Sequence, residues 1–191
     1  KLKETASDKK VIEFIGDSIT AGVGNLGDIT VNGDLKSEPS YHDVTKAYSY
    51  LTAEELGLDY NIAARSGIAL YYGYGHIDGE NDACQNFTKY YDYQNYFRDT
   101  KQAYSPKRSS DIVCINLGTN DFWSGKCPNN DAFAEKMVSF VNQVKGYNPN
   151  AKVVLLTGGI NSNNVTAVNK AYTMLGGESA GYYICNMSYG H

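Results

Sequence analysis

A short apolar segment that ends in a serine-bearing turn is the feature that most constrains how this chain can fold. Residues 11–15 (VIEFI) are apolar at all but one position and are followed directly by Gly16-Asp17-Ser18. The pattern predicts a β-strand with the Ser18 hydroxyl at its carboxyl end, which is where open α/β sheets hold their ligands. Gly16 would let a substrate approach closely, and the Ser18 amide would be free to donate to a developing oxyanion.

Two further strand-like segments end in short polar blocks. Residues 60–63 precede the block RSG at 65–67, and residues 112–117 precede the block GTND at 118–121. The carboxyl ends of parallel strands meet at one edge of a sheet, so we expect the three blocks to share one site.

Predicted strands and helices alternate along the chain. The strands are residues 11–15, 60–63, 112–117, 152–156 and 182–186, and the helices are residues 45–56, 131–145 and 164–175. We expect Asn130 to cap the second helix and Gly146 to end it. Apolar strands that alternate with helices predict an α/β fold, with a five-stranded parallel sheet covered by helices on both faces.

Composition excludes two classes of partner. A net charge of -4 and a pI near 5.3 leave no basic footprint for nucleic acid, and no apolar run is long enough to span a membrane. Residues 1–10 are polar and aperiodic and are predicted to be a linker or tail. Residues 11–191 are predicted to form one domain.

The three blocks, in this order, resemble those of the SGNH (GDSL-type) hydrolases. The resemblance implies that Ser18 is the nucleophile, and that the Gly67 amide and the Asn120 side chain complete the oxyanion hole. It also implies a three-layer α/β/α sandwich whose strands follow the flavodoxin-like order 2-1-3-4-5. It implies no metal and no cofactor.

The amino-acid sequence in and around the blocks most resembles that of carbohydrate esterase family 2, on the segments IEFIGDSITAG, SYL at 49–51 and INLGTNDF. That resemblance implies a secreted esterase, such as an acetylxylan esterase, which removes O-acetyl groups from plant-type polysaccharide or oligosaccharide. It also implies an upstream β-sandwich domain. Two alternatives stay open: a lipase or thioesterase on the same fold, and an inactive or truncated polysaccharide-binding domain. The lipase alternative needs an apolar acyl channel, whereas the loops here are rich in Tyr, Asn and Gly.

The catalytic base is the unresolved part of the pattern. A serine needs a base, normally a histidine, and the chain has three: His42, His76 and His191. His42 and His76 match no family position and are expected to be surface or hydrogen-bonded residues. The family's last block is Asp-x-x-His, and here Ser188 stands three residues before His191.

Two interpretations of His191 follow. It is the base in a degenerate block, or the base lies beyond residue 191 and the domain is incomplete at its carboxyl end. Ser18 follows the first strand and His191 follows the fifth, and these two strands are not neighbours in the predicted sheet. The few residues between the fifth strand and His191 would have to cross this gap, and each spans at most about 3.6 Å. We therefore expect that His191 does not contact Ser18.

Aromatic residues near the blocks are candidates for sugar stacking. The chain has 17 tyrosines, and a cluster of seven directly follows the second block: Tyr71, Tyr72, Tyr74, Tyr90, Tyr91, Tyr93 and Tyr96. Flat rings with a polar edge suit pyranose faces, so these residues are candidates for the rim of the site, although compositional drift explains them equally well. Trp123 follows Asn120 by three residues and is predicted to be a sugar platform, with Tyr71 and Tyr72 as further contacts. We expect Asp17 and Asp121 to hold loop amides.

The four cysteines divide into two pairs. Cys114 and Cys185 lie within predicted strands and are expected to be buried and reduced. Cys84 and Cys127 lie in loops that should flank the same crevice, so we expect a disulfide between them, which would indicate secretion.

Overall fold

A computed structural model describes residues 7–27, 39–71, 86–93, 102–106, 108–123, 129–160 and 162–187. The strands are β1 (Val11–Gly16), β2 (Asp59–Ala64), β3 (Ile112–Asn116), β4 (Lys152–Gly158) and β5 (Tyr182–Met187). The α-helices are α1 (Ser18–Ala21), α2 (Tyr48–Leu56), α3 (Phe87–Tyr90), α4 (Thr119–Trp123), α5 (Asn130–Tyr147) and α6 (Val165–Met174). Short 3₁₀ helices lie at Pro39–Tyr41, Val44–Lys46 and Glu178–Ala180.

The five strands form one parallel sheet in the order β2-β1-β3-β4-β5. The predicted fold class and strand order are therefore confirmed. Gly16, the last residue of β1, pairs with Ala64 on one side and with Asn116 on the other. This register brings the ends of β1, β2 and β3 level with one another, and the three polar blocks begin at those ends.

Helices cover both faces of the sheet because successive side chains of each strand point to opposite sides. On one face, Ile15 of β1 and Ile115 of β3 pack into the large core with α5 and α6. On the other face, Ile12 and Phe14 of β1 pack with Cys114 and with Ala53 of α2. β1 is buried along its whole length, as its central position requires.

Helix α5 differs from the prediction at both ends. Asn129, not Asn130, is the N-cap, since its side chain accepts the Ala132 amide at 2.8 Å. The helix also continues through Gly146 to Tyr147. Gly146 adopts no left-handed conformation, so it does not act as a C-cap.

Cys185 was expected to be buried and is instead exposed. β5 lies at the edge of the sheet and is covered less completely than β3, where Cys114 is buried. Both thiols are free, as expected. Cys84 and Cys127 lie outside the described residues, and their disulfide stays a prediction. Within the described ranges, no helix is long and apolar enough to cross a membrane.

A carboxylate is buried within strand β1. Glu13 in β1 is 1% exposed. It accepts hydrogen bonds from the Tyr91 hydroxyl at 3.1 Å, the Asn148 Nδ2 at 3.2 Å and the Ser110 hydroxyl at 3.3 Å. Burial raises the pKa of Glu13 above its ordinary value, and these hydrogen bonds oppose the shift. The network attaches three distant segments to β1.

We expect Glu13→Ala to lower the free energy of unfolding by about 3 kcal/mol, because it leaves several buried donors without an acceptor. Urea unfolding at neutral pH measures the change. Glu54→Ala, on the exposed side of α2, is the matched control and should change stability by at most about 0.5 kcal/mol. A loss for Glu13→Ala no larger than that of the control would contradict the structural role of this network.

Candidate active site

The nucleophile turn begins where β1 ends. Asp17 caps α1, and its Oδ1 accepts the Ile19 amide at 3.0 Å. Ser18 is the first residue of α1 and is half-buried. A Cβ added to Gly16 would lie 2.0 Å from the Thr20 hydroxyl oxygen, so only glycine fits this position. The sequence thus places a serine hydroxyl and its amide at the carboxyl end of the central sheet, as predicted.

Two residues at the start of helix α2 form hydrogen bonds with this turn. The Ser49 hydroxyl donates to the Thr20 carbonyl oxygen at 2.8 Å, and the Tyr48 and Thr20 hydroxyls are 2.8 Å apart. Burial raises the pKa of Tyr48, so its hydroxyl stays protonated. These contacts fix α1 to the layer of the fold that contains α2.

The second block follows β2 and turns toward β1. The Arg65 amide donates to the Gly16 carbonyl oxygen at 3.2 Å, and the Ile68 amide donates to the Arg65 carbonyl oxygen at 3.3 Å. Gly67 lies within this turn with a φ of 77°, a backbone conformation that residues other than glycine rarely adopt. The predicted oxyanion donor is therefore in a tight turn beside the end of β1.

The third block connects the other two. Asn120 of α4 donates from Nδ2 to the Ile68 carbonyl oxygen at 2.8 Å and to Asp17 Oδ2 at 3.2 Å. The Asp121 carboxylate accepts the amides of Tyr71 at 2.7 Å and Leu70 at 3.1 Å. The expectation that Asp17 and Asp121 hold loop amides is confirmed. The structure brings Ser18, the Gly67 turn and Asn120 to one edge of the sheet.

Asp17 is fully buried between these blocks. Burial raises the pKa of Asp17 to about 7, the nearby Asp121 carboxylate raises it further, and the Ile19 amide opposes the shift. The Thr119 hydroxyl also favours the charged form, although it makes no hydrogen bond of ordinary geometry within the described residues. A carboxyl group that titrates near neutral pH therefore lies directly beside the predicted nucleophile.

The aromatic candidates are placed in different ways. Trp123 ends α4 and is 60% exposed. Tyr71 is half-buried and its hydroxyl donates to the Ala132 carbonyl oxygen at 2.8 Å. Tyr90 and Tyr91 are buried in the core, so these two candidates for the rim of the site are excluded.

Several predicted residues fall outside the described part of the chain: Tyr72, His76, Ser188 and His191. Their roles stay predictions. His42 is described and half-buried, and its Nε2 is buried with no hydrogen-bond partner among the described residues. His42 is therefore partly at the surface, and no role for it follows from these contacts.

Asn164 is a site-supporting residue that the sequence analysis missed. It is fully buried and donates from Nδ2 to the Leu117 carbonyl oxygen at 3.3 Å. Its Oδ1 accepts the Gly158 amide at 3.4 Å. Its hydrogen bonds thus connect the carboxyl ends of β3 and β4, next to the third block. An asparagine just before a helix is typical of an N-cap, so the sequence holds no signal for this role.

The sequence pattern of the GDSL-like Lipase/Acylhydrolase family matches residues 14–180, which include all three blocks. The chain belongs to this GDSL-like family. The resemblance on which the site residues were predicted is thereby confirmed at the level of the family.

Two curated proteins that are similar to this chain have esterase activity in their names. The cellulase/esterase CelE of Acetivibrio thermocellus is 30% identical over 150 residues, which are 78% of this chain and 17% of that protein. An acetylxylan esterase / glucomannan deacetylase of Cellvibrio japonicus is 28% identical over 160 residues, with 78% of this chain and 42% of that protein covered. This chain therefore spans less than half of either relative.

A solved structure supports the same fold for this GDSL-like chain. A family two carbohydrate esterase from Clostridium thermocellum, in complex with cellohexaose, superposes with a TM-score of 0.82 at 25% identity. The match covers 100% of this chain and 58% of that one.

We expect Gly16→Ala to disrupt the nucleophile turn, because the new Cβ would overlap the Thr20 side chain. Overpacking of this kind lowers the free energy of unfolding by about 1–3 kcal/mol. Gly146→Ala is the matched control: its Cβ meets nothing within 4 Å, and in a helix interior alanine should stabilise by about 0.5–1 kcal/mol. Thermal or urea unfolding of both variants measures the difference. Equal effects at the two glycines would contradict the tight packing of the turn.

Proposed function

We propose that this chain is a serine esterase that removes O-acetyl groups from plant-type polysaccharide or oligosaccharide. The observation that carries the proposal is the contact of Asn120 with both other blocks beside Ser18. The similar proteins support the substrate class, since one is an acetylxylan esterase / glucomannan deacetylase and another binds cellohexaose. A lipase or thioesterase is not favoured by these relatives.

In the proposed mechanism, the Ser18 hydroxyl attacks the acetyl carbonyl carbon. The Ser18 and Gly67 amides and the Asn120 side chain stabilise the negative charge on the carbonyl oxygen. The sugar alcohol leaves and an acetyl-serine remains, which water then hydrolyses. A histidine takes the proton from Ser18 and gives it to the leaving sugar oxygen in the first step. In the second step it takes a proton from water and returns it to Ser18 as acetate is released. His191 is one candidate for this base, and a residue beyond it in the full protein is the other.

Trp123 is the proposed sugar platform. It follows Asn120 on the same short helix, and more than half of its surface is exposed. An exposed indole three residues after Asn120 on that helix suits stacking on a pyranose ring. Tyr71 already bonds to Ala132, so its contribution would come from the exposed part of its ring. Secretion and an upstream β-sandwich domain belong to the same proposal.

We expect Ser18→Ala to abolish turnover of 4-nitrophenyl acetate and of acetylated xylan, because no other group replaces the nucleophile. Loss of a triad nucleophile lowers turnover by about 10⁶ in a well-studied serine protease. Ser139→Ala, on the exposed side of α5, is the control and should keep full activity. More than about a tenth of wild-type activity left in Ser18→Ala would rule Ser18 out as the nucleophile.

We expect Asn120→Ala to lower kcat by about 10²–10³-fold while KM changes much less, since an oxyanion donor acts in the transition state. Steady-state kinetics on the same substrates separates the two constants. Asn142→Ala, which removes an exposed asparagine of α5, controls for the substitution. If the loss is found mainly in KM, Asn120 binds substrate and is not a transition-state donor.

A further inference from the structure

The Asn120 amide is already fully engaged. A primary amide has two N–H groups, and Nδ2 of Asn120 directs its hydrogens to the Ile68 carbonyl oxygen at 2.8 Å and to Asp17 Oδ2 at 3.2 Å. The proposed function requires the same Nδ2 to donate to a third acceptor, the substrate carbonyl oxygen. One of the two existing hydrogen bonds must therefore be shared or given up during the reaction.

The bond to Asp17 is the one that can change. The contact with Ile68 is the shorter of the two, and its acceptor is a backbone carbonyl whose strength as an acceptor does not depend on pH. Asp17 is ionisable, and a carboxylate accepts a hydrogen bond much more strongly than a neutral carboxyl group does. Its other oxygen remains bound to the Ile19 amide at 3.0 Å, so the nucleophile turn need not move when the contact with Asn120 weakens.

We propose that Asp17 is a positioning residue that controls the Asn120 donor: the ionised carboxylate holds one N–H of Asn120, and uptake of a proton from solvent releases this N–H toward the substrate carbonyl oxygen. The inference rests on the proposed esterase function. It adds a proton-dependent step at a residue that touches neither the substrate nor the reacting atoms.

The groups that face Asp17 support titration near neutral pH. Asp121 approaches from α4, and its negative charge disfavours ionisation of Asp17. Tyr48 approaches from α2, and its own raised pKa keeps it neutral. Together with burial, these surroundings raise the pKa of Asp17 to about 7. An ionised Asp17 would also repel the oxyanion, so both effects favour the neutral form for catalysis.

Asp17→Asn imitates the neutral form. Asparagine is as good an N-cap as aspartate, so its carbonyl oxygen can keep the Ile19 amide. Its NH₂ group would then face Asn120 and cannot accept a hydrogen bond from it. The variant should therefore release the Asn120 donor at every pH.

The first experiment measures kcat for 4-nitrophenyl acetate at several pH values in the wild type and in Asp17→Asn, after subtraction of spontaneous hydrolysis. The ratio of variant to wild type should rise about tenfold between about pH 6 and pH 8, because the neutral fraction of Asp17 falls by about that factor. The ratio cancels the titration of the base. Asp131→Asn, an exposed carboxylate on α5, should give a ratio that is flat with pH. A flat ratio for Asp17→Asn, including a loss that is equal at every pH, would overturn the inference.

The second experiment does not depend on activity. The side-chain amide resonances of Asn120, assigned by their disappearance in Asn120→Ala, should titrate with a midpoint near pH 7 in the wild type and be constant in Asp17→Asn. If Asp17→Asn does not fold, Asp121→Asn replaces it and should move the midpoint to lower pH by removing the neighbouring charge. An Asn120 resonance that does not titrate in the wild type would overturn the inference.

The two experiments also separate this inference from the proposed function. Absence of ester turnover in the full-length wild-type protein, together with an Asn120 resonance that titrates only when Asp17 is present, would refute the esterase and support the coupling. Turnover that depends on Ser18, together with a flat ratio, would refute only the coupling.

Discussion

The Asn120 carboxamide holds the site together. Through one nitrogen it joins the turn after β3 to residues 52 and 103 positions earlier in the chain, in the turns after β2 and β1. The parallel sheet brings the three strand ends level, but register alone does not fix the turns that follow them. The Asp17 and Asp121 carboxylates complete this task by binding amides of residues that follow the first and second blocks. The geometry of the oxyanion hole therefore depends on buried polar contacts among loops, in addition to the apolar core into which Ile68 and Leu70 pack.

The sheet and the main site residues could be predicted from sequence because both have local signals. Alternating apolar strands and helices predicted the parallel sheet, and its strand order followed from the family pattern. Ser18, Gly67 and Asn120 stand in short blocks directly after strands, so the fold itself places them at one edge. Helix boundaries moved, as at α5, where the cap is Asn129 and Gly146 continues the helix. The short helices α1, α3 and α4 were not predicted.

Long-range partners could not be predicted. Tyr91 meets Glu13 across 78 positions of sequence and Asn164 meets Leu117 across 47, and no local pattern signals either contact. The exposure of Cys185 depends on the edge position of β5, which the residues of that strand alone do not encode. The sequence thus identifies which residues can react, whereas the groups that orient them become visible only in three dimensions.

Two buried carboxyl groups lie in or next to β1: Glu13 within the strand and Asp17 directly after it. They have different roles. Burial raises the pKa of both Glu13 and Asp17, so each contributes stability that is complete below its ordinary pKa and is lost as pH rises through the folded-state value. Glu13 is held by donors on three distant segments that have no role in the reaction, and its network therefore serves only the fold. Asp17 instead shares one long hydrogen bond with the amide that the reaction needs. A buried acid with a replaceable partner can respond to a proton without unfolding the chain, and this difference in partners makes Asp17, but not Glu13, suited to control the site.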